Sequence, residues 1–150
     1  MTQEATKIKA TFPSVDWFNA IKSIVNQDEG YKRIGTCDSE VGVKIPDLQK
    51  FYKITFEAFE VADIRETDQA DAEDADFWLE MPYARWKEMI ENIKANAKAD
   101  LHHTLNTLDM EDPDGLARSH DGYRRDAFYR FNQTFQYFFD ASARIDTSFV

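Results

Sequence analysis

The stretch of residues 74–93, DADFWLEMPYARWKEMIENI, changes its hydrophobic period part-way along and decides the fold. Phe77, Leu79 and Met81 alternate with a second set of positions, and this period of two is typical of a β-strand with two different faces. Pro82 then ends strand pairing and suits the first turn of a helix, where no backbone N–H is needed.

The second half of the stretch has the period of a helix. Trp86, Met89, Ile90 and Ile93 follow one another at the spacing of one helical face. We therefore predict a strand followed directly by a helix that folds back on it. Together the two elements form an apolar wall, and this wall carries no set of catalytic side chains.

Length and composition are those of one domain with a large aromatic content. The chain has 150 residues, of which 43% are apolar and 14% aromatic, including twelve phenylalanines. A chain of this size is long enough to bury a real core. We predict a flexible lead-in over residues 1–12 and a single domain over residues 13–150. The aromatic side chains fit either a packed core, which is the more ordinary arrangement, or a cavity lined by rings.

Charge and apolar runs argue against several classes of partner, and cysteine usage predicts the location of the protein. The formal net charge of −10 argues against nucleic acid and anionic membranes as main partners, because both bind basic surfaces. No apolar run approaches the ~20 residues that span a bilayer, so we predict no membrane insertion. With Cys37 as the single cysteine and no apolar leader, we predict a cytoplasmic protein.

Alternating and helical patterns predict the remaining elements of the first half. A helix is expected over residues 14–27, with Ser14 as its N-cap. Residues 37–45 and 51–59 alternate as the two strands of a hairpin. Residues 61–65 fit either a further strand or the bent end of the second one. Residues 67–76 are acidic and are expected to form a solvated connection.

The last third contains the strongest helical signal. Leu101 and Leu105 have helical spacing, although residues 107–110 also fit a short edge strand. Residues 123–143 predict one long helix with an aromatic seam formed by Phe128, Phe131, Phe135, Phe138 and Ser142. This seam must be buried against the domain's own sheet, a ligand chamber or a partner subunit.

Motifs for catalysis and cofactor binding are missing. The five glycines are scattered, and no serine or cysteine lies in a nucleophile motif. We predict a non-enzymatic protein without a cofactor or a bound metal. Asp63 leaves one alternative open, because a buried aspartate in an apolar chamber can act as a base, whereas a surface aspartate beside Arg65 cannot.

Two segments carry a resemblance to a known family. VDWFNAIKSIVNQDEGYKRIG (residues 15–35) and EDADFWLEMPYARWKEMI (residues 73–90) resemble the first helix and the strand–helix unit of the SCP2-type sterol carrier domains. The resemblance covers about half of the chain. TLNTLDMED (residues 104–112) departs from the family pattern because it lacks glycine, and the closing helix is richer in Phe than is usual.

The resemblance implies an α+β fold with a mostly antiparallel five-stranded sheet covered by helices, closed by the long aromatic helix. It also implies a hydrophobic tunnel for a fatty acid, an acyl-CoA or a sterol-like molecule. For such a tunnel we predict an apolar lining of Trp78, Trp86, Met89, Ile90, Ile93, Leu101, Leu105, Phe128, Phe131, Phe135 and Phe138. Lys87, Arg124 or Arg125 would meet an acidic ligand at the mouth, or would simply be solvated.

Three functions remain open at this point. The leading one is a non-enzymatic carrier of a hydrophobic small molecule, in which Phe131→Ala and Phe135→Ala change ligand affinity more than a Tyr137 substitution. The second is an interaction or accessory module of a lipid- or aromatic-degrading enzyme system, acting as a homodimer or on an enzyme partner. The third is a small NTF2-like isomerase or dehydratase that depends on Asp63 or His103.

Overall fold

The computed structural model describes residues 7–150. The strands are β1 (Ile8–Phe12), β2 (Ser39–Ile45), β3 (Lys50–Glu57), β4 (Glu60–Thr67), β5 (Phe77–Glu80), β6 (Ala117–Arg118) and β7 (Ile145–Phe149). The α-helices are α1 (Val15–Val25), α2 (Glu29–Ile34), α3 (Gln69–Glu73), α4 (Tyr83–Asn96), α5 (Leu105–Glu111), α6 (Gly122–Arg130) and α7 (Asn132–Asp140). Single 3₁₀ turns occupy Pro46–Leu48 and Ala141–Arg144.

A five-stranded sheet with helices packed on it confirms the α+β prediction. Its strand order is β4-β3-β2-β5-β6. The pairs β2–β3, β3–β4 and β5–β6 are antiparallel, whereas β2 and β5 run parallel. The sheet is therefore mostly antiparallel. The parallel step from β2 to β5 is possible because β3, β4 and α3 lie between them in the chain.

The strand–helix unit of residues 74–93 is confirmed. Phe77, Leu79 and Met81 are buried on the core side, and Pro82 precedes the first residue of α4. All four stripe residues of α4 are buried, and the Trp86 indole Nε1 donates a hydrogen bond to the Lys44 carbonyl, 3.1 Å away. This bond satisfies the polar end of a large ring inside the core and fixes α4 over β2.

The hydrophobic core lies between helices α1, α4 and α7 and the face of the five-stranded sheet that carries Phe77 and Leu79. The predicted inward positions of β2 and β3 are buried, among them Val43 and Tyr52, which are fully inaccessible. Ser14 caps α1 as predicted, since its Oγ accepts a hydrogen bond from the Trp17 amide at 3.1 Å. Residues 61–65 belong to β4, a separate strand reached through a tight turn in which Phe59 has a φ of 70°.

The opposite face of the sheet is covered by α3, where a solvated connection was predicted. A Cβ atom at Gly42 would collide with the carbonyl oxygen of Ala72, so glycine allows α3 to approach β2 closely. Lys44 and Lys53 point to this face, as their alternation requires, but they are only 5% and 4% exposed. The alternation was right, but residues 67–76 include a helix packed on the sheet and are not only a solvated connection.

Ion pairs explain how two lysines are buried under α3. The Lys44 ammonium lies 2.6 Å from a Glu73 carboxylate oxygen and 3.8 Å from one of Glu80. The Lys53 ammonium lies 3.2 Å from Glu40 and 3.2 Å from Asp71. Glu73 and Asp71 belong to α3, so the helix supplies the charges that make this burial possible.

The first strand corrects the prediction of a flexible lead-in over residues 1–12. Ile8–Phe12 pairs in parallel with Ile145–Phe149, and the fully buried Phe12 ring lies 4.8 Å from the Trp17 ring. The pairing joins the two ends of the chain, so no local sequence pattern could indicate it. The remainder of that lead-in, residues 1–6, lies outside the described residues.

The prediction of one continuous closing helix over residues 123–143 was wrong. Phe131 has φ −112° and ψ 24°, far from helical values, and divides the run into α6 and α7. Phe128 in α6 and Phe135 in α7 nevertheless both enter the core. The break lets α7 pack on α2, where the Thr134 hydroxyl donates to the Ile34 carbonyl at 2.8 Å. The seam spacing therefore predicted the buried side but not the change of direction.

In the last third, the helical spacing is confirmed for Leu105 but not for Leu101, and the alternative edge strand is excluded. Leu101 precedes α5 and is 83% exposed, whereas Leu105 is buried at the start of that helix. Residues 107–110 lie within α5, so they are not an edge strand. The edge position next to β5 is taken by β6.

The other edge of the sheet is β4, and part of it is covered by a side chain. The Asn26 amide, at the end of α1, donates to the Val61 carbonyl at 2.9 Å. The Val61 amide in turn donates to the Asn26 side-chain oxygen at 2.7 Å. Both outward backbone groups of Val61 are thereby satisfied within the chain.

Candidate functional site

Most of the predicted lining residues lie together in the core. Eight of the eleven are buried in one apolar cluster, namely Trp86, Met89, Ile90, Ile93, Leu105, Phe128, Phe135 and Phe138. Phe131 is partly buried against this cluster, Trp78 lies on the α3 side of the sheet, and Leu101 is exposed. The structure thus brings the strand–helix wall and the aromatic seam together. That these residues line a ligand chamber stays a prediction.

Helix α7 separates this core from two surface grooves. Phe135, Phe138 and Phe139 point inward and are at most 2% exposed. The opposite side of α7 lines a groove of about 640 Å³, which we call the amide groove. Most of its lining residues carry a polar group; they are Ile34, Thr104, Asn106, Tyr129, Arg130, Asn132, Gln133, Gln136, Tyr137 and Asp140.

Hydrogen bonds fix the wall of the amide groove. The Gln136 side-chain oxygen accepts from the Leu105 amide at 2.7 Å, and its Nε2 donates to the Asp140 carboxylate at 3.0 Å. The same Asp140 oxygen accepts from the Ala99 amide at 3.0 Å. Two side chains of α7 therefore hold the connection between α4 and α5 against the helix.

A second groove lies at the other end of α7 and shares two of the same residues. This basic groove has a volume of about 550 Å³. It is lined by Lys7, Ala97, Lys98, Tyr137, Asp140, Ala141, Ala143 and Arg144. Tyr137 and Asp140 line both grooves, so they form the boundary between them.

Tyr137 is held in place by a network around Asp28. Its hydroxyl donates to the Asp28 carboxylate at 2.9 Å, and Gly30 and Arg144 donate to the same side chain. Partial burial opposes the charge of Asp28, but these donors outweigh burial and lower the pKa of its carboxyl to about 2. Asp28 is therefore an anion at neutral pH and a fixed anchor for the ring.

Buried hydroxyl groups reach into the core without partners. Tyr31 in α2, Tyr52 in β3 and Ser142 have buried hydroxyl oxygens that make no hydrogen bond within residues 7–150. Burial raises the pKa of both tyrosines, so their hydroxyls stay protonated and keep a donor. The Tyr31 ring lies 5.9 Å from that of Tyr137, directly behind the boundary of the two grooves.

The residues considered for catalysis are on the surface. Asp63 has 58% of its side chain exposed and lies 3.8 Å from Arg65, which is the surface arrangement and not the buried base. His103 is bonded to Asp100 at 2.7 Å outside the core. Within residues 7–150, no group of three or more His, Cys, Asp or Glu side chains could hold a metal ion.

The cations predicted for a ligand mouth have other partners. Arg124 pairs with Asp76 at 3.1 Å, and Lys87 lies 4.0 Å from Glu91. Arg125 donates to the Ala117 carbonyl at 2.8 Å. None of the three lines the amide groove or the basic groove.

No helix among residues 7–150 has the length and apolar character needed to cross a bilayer.

Comparison with solved structures identifies the fold. The crystal structure of sterol carrier protein 2 matches 87% of this chain and 95% of its own, with a TM-score of 0.59 and 16% identity. The chain has the sterol carrier protein 2 fold. The solution structure of a conserved hypothetical protein from Thermus thermophilus, described as possibly a sterol carrier protein, matches 95% of this chain and 97% of its own. Its TM-score is 0.65 and its identity 16%.

Comparison at the level of sequence found no match for the chain. No protein-family model matches the chain, and no curated protein matches it either. The family resemblance inferred from two sequence segments is thus supported by the sterol carrier protein 2 fold over most of the chain.

The polar side of the site was missed at the sequence level. Gln133, Gln136, Tyr137 and Asp140 follow one another at the spacing of one helical face, on the side of α7 opposite the aromatic seam. That stripe was visible in the sequence and could have indicated a second functional face. Lys7 and Lys98 could not be assigned to it, because they come from separate parts of the chain.

Asp140→Asn is expected to change how stability depends on pH. Burial raises the pKa of Asp140, because it outweighs the stabilising bonds from Ala99 and Gln136. The folded protein then binds this proton more tightly than the unfolded chain, so the carboxyl lowers the free energy of unfolding as the pH rises from about 4 through the folded-state pKa. Asparagine keeps an acceptor for Ala99 and removes the charge. In urea titrations, the stability of Asp140→Asn relative to wild type should therefore increase from acid to neutral pH.

Asp140→Ala provides the matched control. It removes the charge and also the hydrogen-bond acceptor for the Ala99 amide, so it should be less stable than Asp140→Asn at every pH. A stability difference between Asp140→Asn and wild type that stays constant or falls with pH would contradict the raised pKa.

Proposed function

We propose that this protein is a non-enzymatic carrier that binds a hydrophobic small molecule such as a fatty acid, an acyl-CoA or a sterol-like compound. The observation that carries the proposal is the combination of the sterol carrier protein 2 fold with a large aromatic core beneath α7. In this arrangement, the apolar part of the ligand enters beside Tyr137 and contacts the inner face of α7. The cytoplasm remains our prediction for its location.

The interior supports this proposal in two ways. Phe135 packs against the rings of Phe56, Phe77 and Phe128, at centroid distances of 5.1, 5.3 and 6.4 Å, so the aromatic side chains that an apolar ligand would contact lie together beneath α7. The unpaired hydroxyls of Tyr31 and Tyr52 supply a few polar anchors in the same interior. A mostly apolar site with few polar groups is what such a ligand needs.

Native mass spectrometry of the purified protein is the direct test. We expect a bound molecule of lipid size that organic extraction releases, and we expect one fluorescent fatty-acid probe to bind per chain after extraction. A protein that carries nothing and ignores such probes would contradict the carrier function. It would favour the interaction module, which a dilution series of the oligomeric state then tests.

Substitutions in folded variants locate the ligand. We expect Phe131→Ala and Phe135→Ala to weaken probe binding more than Tyr137→Ala, because the first two change the aromatic seam. A larger effect of Tyr137→Ala would place the ligand in the grooves. Tyr123→Ala is the control, since that side chain is 84% exposed in α6 and lines neither groove. Circular dichroism must show that each variant is folded.

A further inference from the structure

The basic groove reverses the charge of the molecule locally. Three cations, Lys7, Lys98 and Arg144, line it together with one carboxylate, that of Asp140. The whole chain has a net charge of −10, so a cationic lining is not what its average composition would give. A surface concavity with excess positive charge attracts anions.

Two of these cations form no ion pair within 4.0 Å among the described residues, although the charge of Lys98 acts on Asp140. The Lys7 ammonium donates one hydrogen bond, to the Ala143 carbonyl at 3.3 Å. Lys98 makes neither an ion pair nor a hydrogen bond with any side chain or carbonyl of residues 7–150. Lys44 and Lys53 on the sheet differ, since each has two carboxylates within 4.0 Å. Arg144 is paired with Asp28.

The floor of the basic groove is small and apolar. The side chains of Ala97, Ala141 and Ala143 are methyl groups, and Tyr137 also lines the groove. Ala97 has a φ of 68° and ends α4, so the chain turns there and Lys98 directly follows the turn. Ammonium groups above a floor of methyl groups fit a ligand whose anionic group is attached directly to hydrocarbon.

The position of the groove links it to the ligand site. Tyr137 forms its boundary with the amide groove, and the Tyr31 ring lies behind Tyr137 in the core. In the proposed carrier, a molecule whose apolar part lies beneath α7 beside Tyr137 would have its other end at the basic groove. Neither lysine would have to give up a carboxylate to bind that end.

We propose that the basic groove binds the anionic head group of a single-chain amphiphile, with Lys7 and Lys98 as its ammonium partners. This inference rests on the proposed carrier function and adds the charge of the ligand to it. It predicts that the groove binds acids such as free fatty acids more tightly than neutral lipids. Asp140, the one carboxylate of the lining, weakens the attraction, and the bond from Arg144 to Asp28 leaves the two lysines as the main partners.

The test uses cis-parinaric acid and its methyl ester, which share one hydrocarbon chain and differ in the head group, which is ionised in the acid and neutral in the ester. Wild type should bind the acid more tightly than the ester. The double variant Lys7→Gln/Lys98→Gln should bind the acid about tenfold more weakly, which corresponds to about 1.4 kcal/mol, and the ester with unchanged affinity. Asp140→Asn should bind the acid more tightly than wild type.

The control is Lys50→Gln/Lys87→Gln, which changes the net charge equally. Lys50 and Lys87 pair with Glu66 and Glu91 away from the basic groove, so acid binding should be unchanged. Equal affinity of wild type for acid and ester, or an equal loss in both double variants, would overturn the head-group site and leave the carrier function standing. Failure of wild type to bind either probe would overturn both.

Discussion

Phe135→Ala is expected to lower the free energy of unfolding by about 3–5 kcal/mol. The side chain is 1% exposed and its ring lies between Phe56 of β3, Phe77 of β5 and Phe128 of α6. Removing the ring deletes contacts with the sheet and with α6 at once, and the surrounding rings are too rigid to fill the space. Urea unfolding followed by tryptophan fluorescence measures the change.

Tyr123→Ala serves as the control for this loss, as it does for ligand binding. Tyr123 also precedes the α6–α7 break but is 84% exposed, so its loss should change stability by less than about 0.5 kcal/mol. A Phe135→Ala protein within about 1 kcal/mol of wild type would show that the aromatic layer is loosely packed there. That result would favour a core with room for a ligand.

Lys44→Met is expected to destabilise the protein by about 3 kcal/mol at neutral pH. Methionine keeps an unbranched apolar stem but removes the ammonium, which lies 4.4 Å from the centroid of the Trp78 ring. It leaves Glu73 and Glu80 without that ammonium, with only 19% and 22% of their side chains exposed. The loss therefore comes mainly from Glu73, since Glu80 keeps its ion pair with Arg118 at 2.8 Å, and not from a cavity.

The pH dependence of this loss follows from Glu73. In the native protein, the hydrogen bond from Lys44 holds the pKa of Glu73 below its ordinary value. The pair therefore stabilises the fold at pH values above the pKa of Glu73 in the unfolded chain. This stabilisation is lost as the pH falls through the pKa of Glu73 in the folded protein. Without Lys44 the carboxyl is protonated more readily. The stability gap between Lys44→Met and wild type should thus narrow from neutral pH towards about pH 4.

Lys50→Met distinguishes a buried pair from an exposed one. Lys50 lies 3.2 Å from Glu66, and their side chains are 46% and 49% exposed. We expect a loss below about 1 kcal/mol for this variant. If Lys44→Met and Lys50→Met were equally destabilising, the layer under α3 would behave as an ordinary solvated surface.

Local periodicity predicted the parts of the fold that depend on neighbouring residues. The change of period at Pro82 gave β5 and α4, and the alternation in β2 and β3 gave their buried faces. Each of these patterns reports which side of one element is apolar. They could be predicted because burial of that side is the main driving force for packing.

Features that depend on distant partners could not be predicted in this way. The strand Ile8–Phe12 exists because the other end of the chain pairs with it. The burial of Lys44 and Lys53 depends on carboxylates that α3 brings over the sheet. A lysine in an alternating strand otherwise indicates a solvated face, so only the position of α3 reveals the exception.

In the candidate site, too, local patterns could be predicted, whereas features that combine distant residues could not. The inner, aromatic side of α7 was predicted, because phenylalanines at helical spacing are distinctive. The basic groove combines Lys7, Lys98 and Arg144 from three separate parts of the chain, and isolated lysines in a sequence carry no signal of their own. Its recognition required the three-dimensional structure.

The Asn26 side chain occupies the place that a peptide group of a further strand would take beside β4. An open sheet edge is a template on which other chains can add strands, and such growth leads to aggregates. Here the amide and carbonyl of Val61 are already bonded to Asn26, so an incoming strand would have to break two hydrogen bonds before it could pair. Beyond that point it would meet the charged side chains of Asp63 and Arg65. One asparagine thus protects the protein from intermolecular sheet growth at this edge.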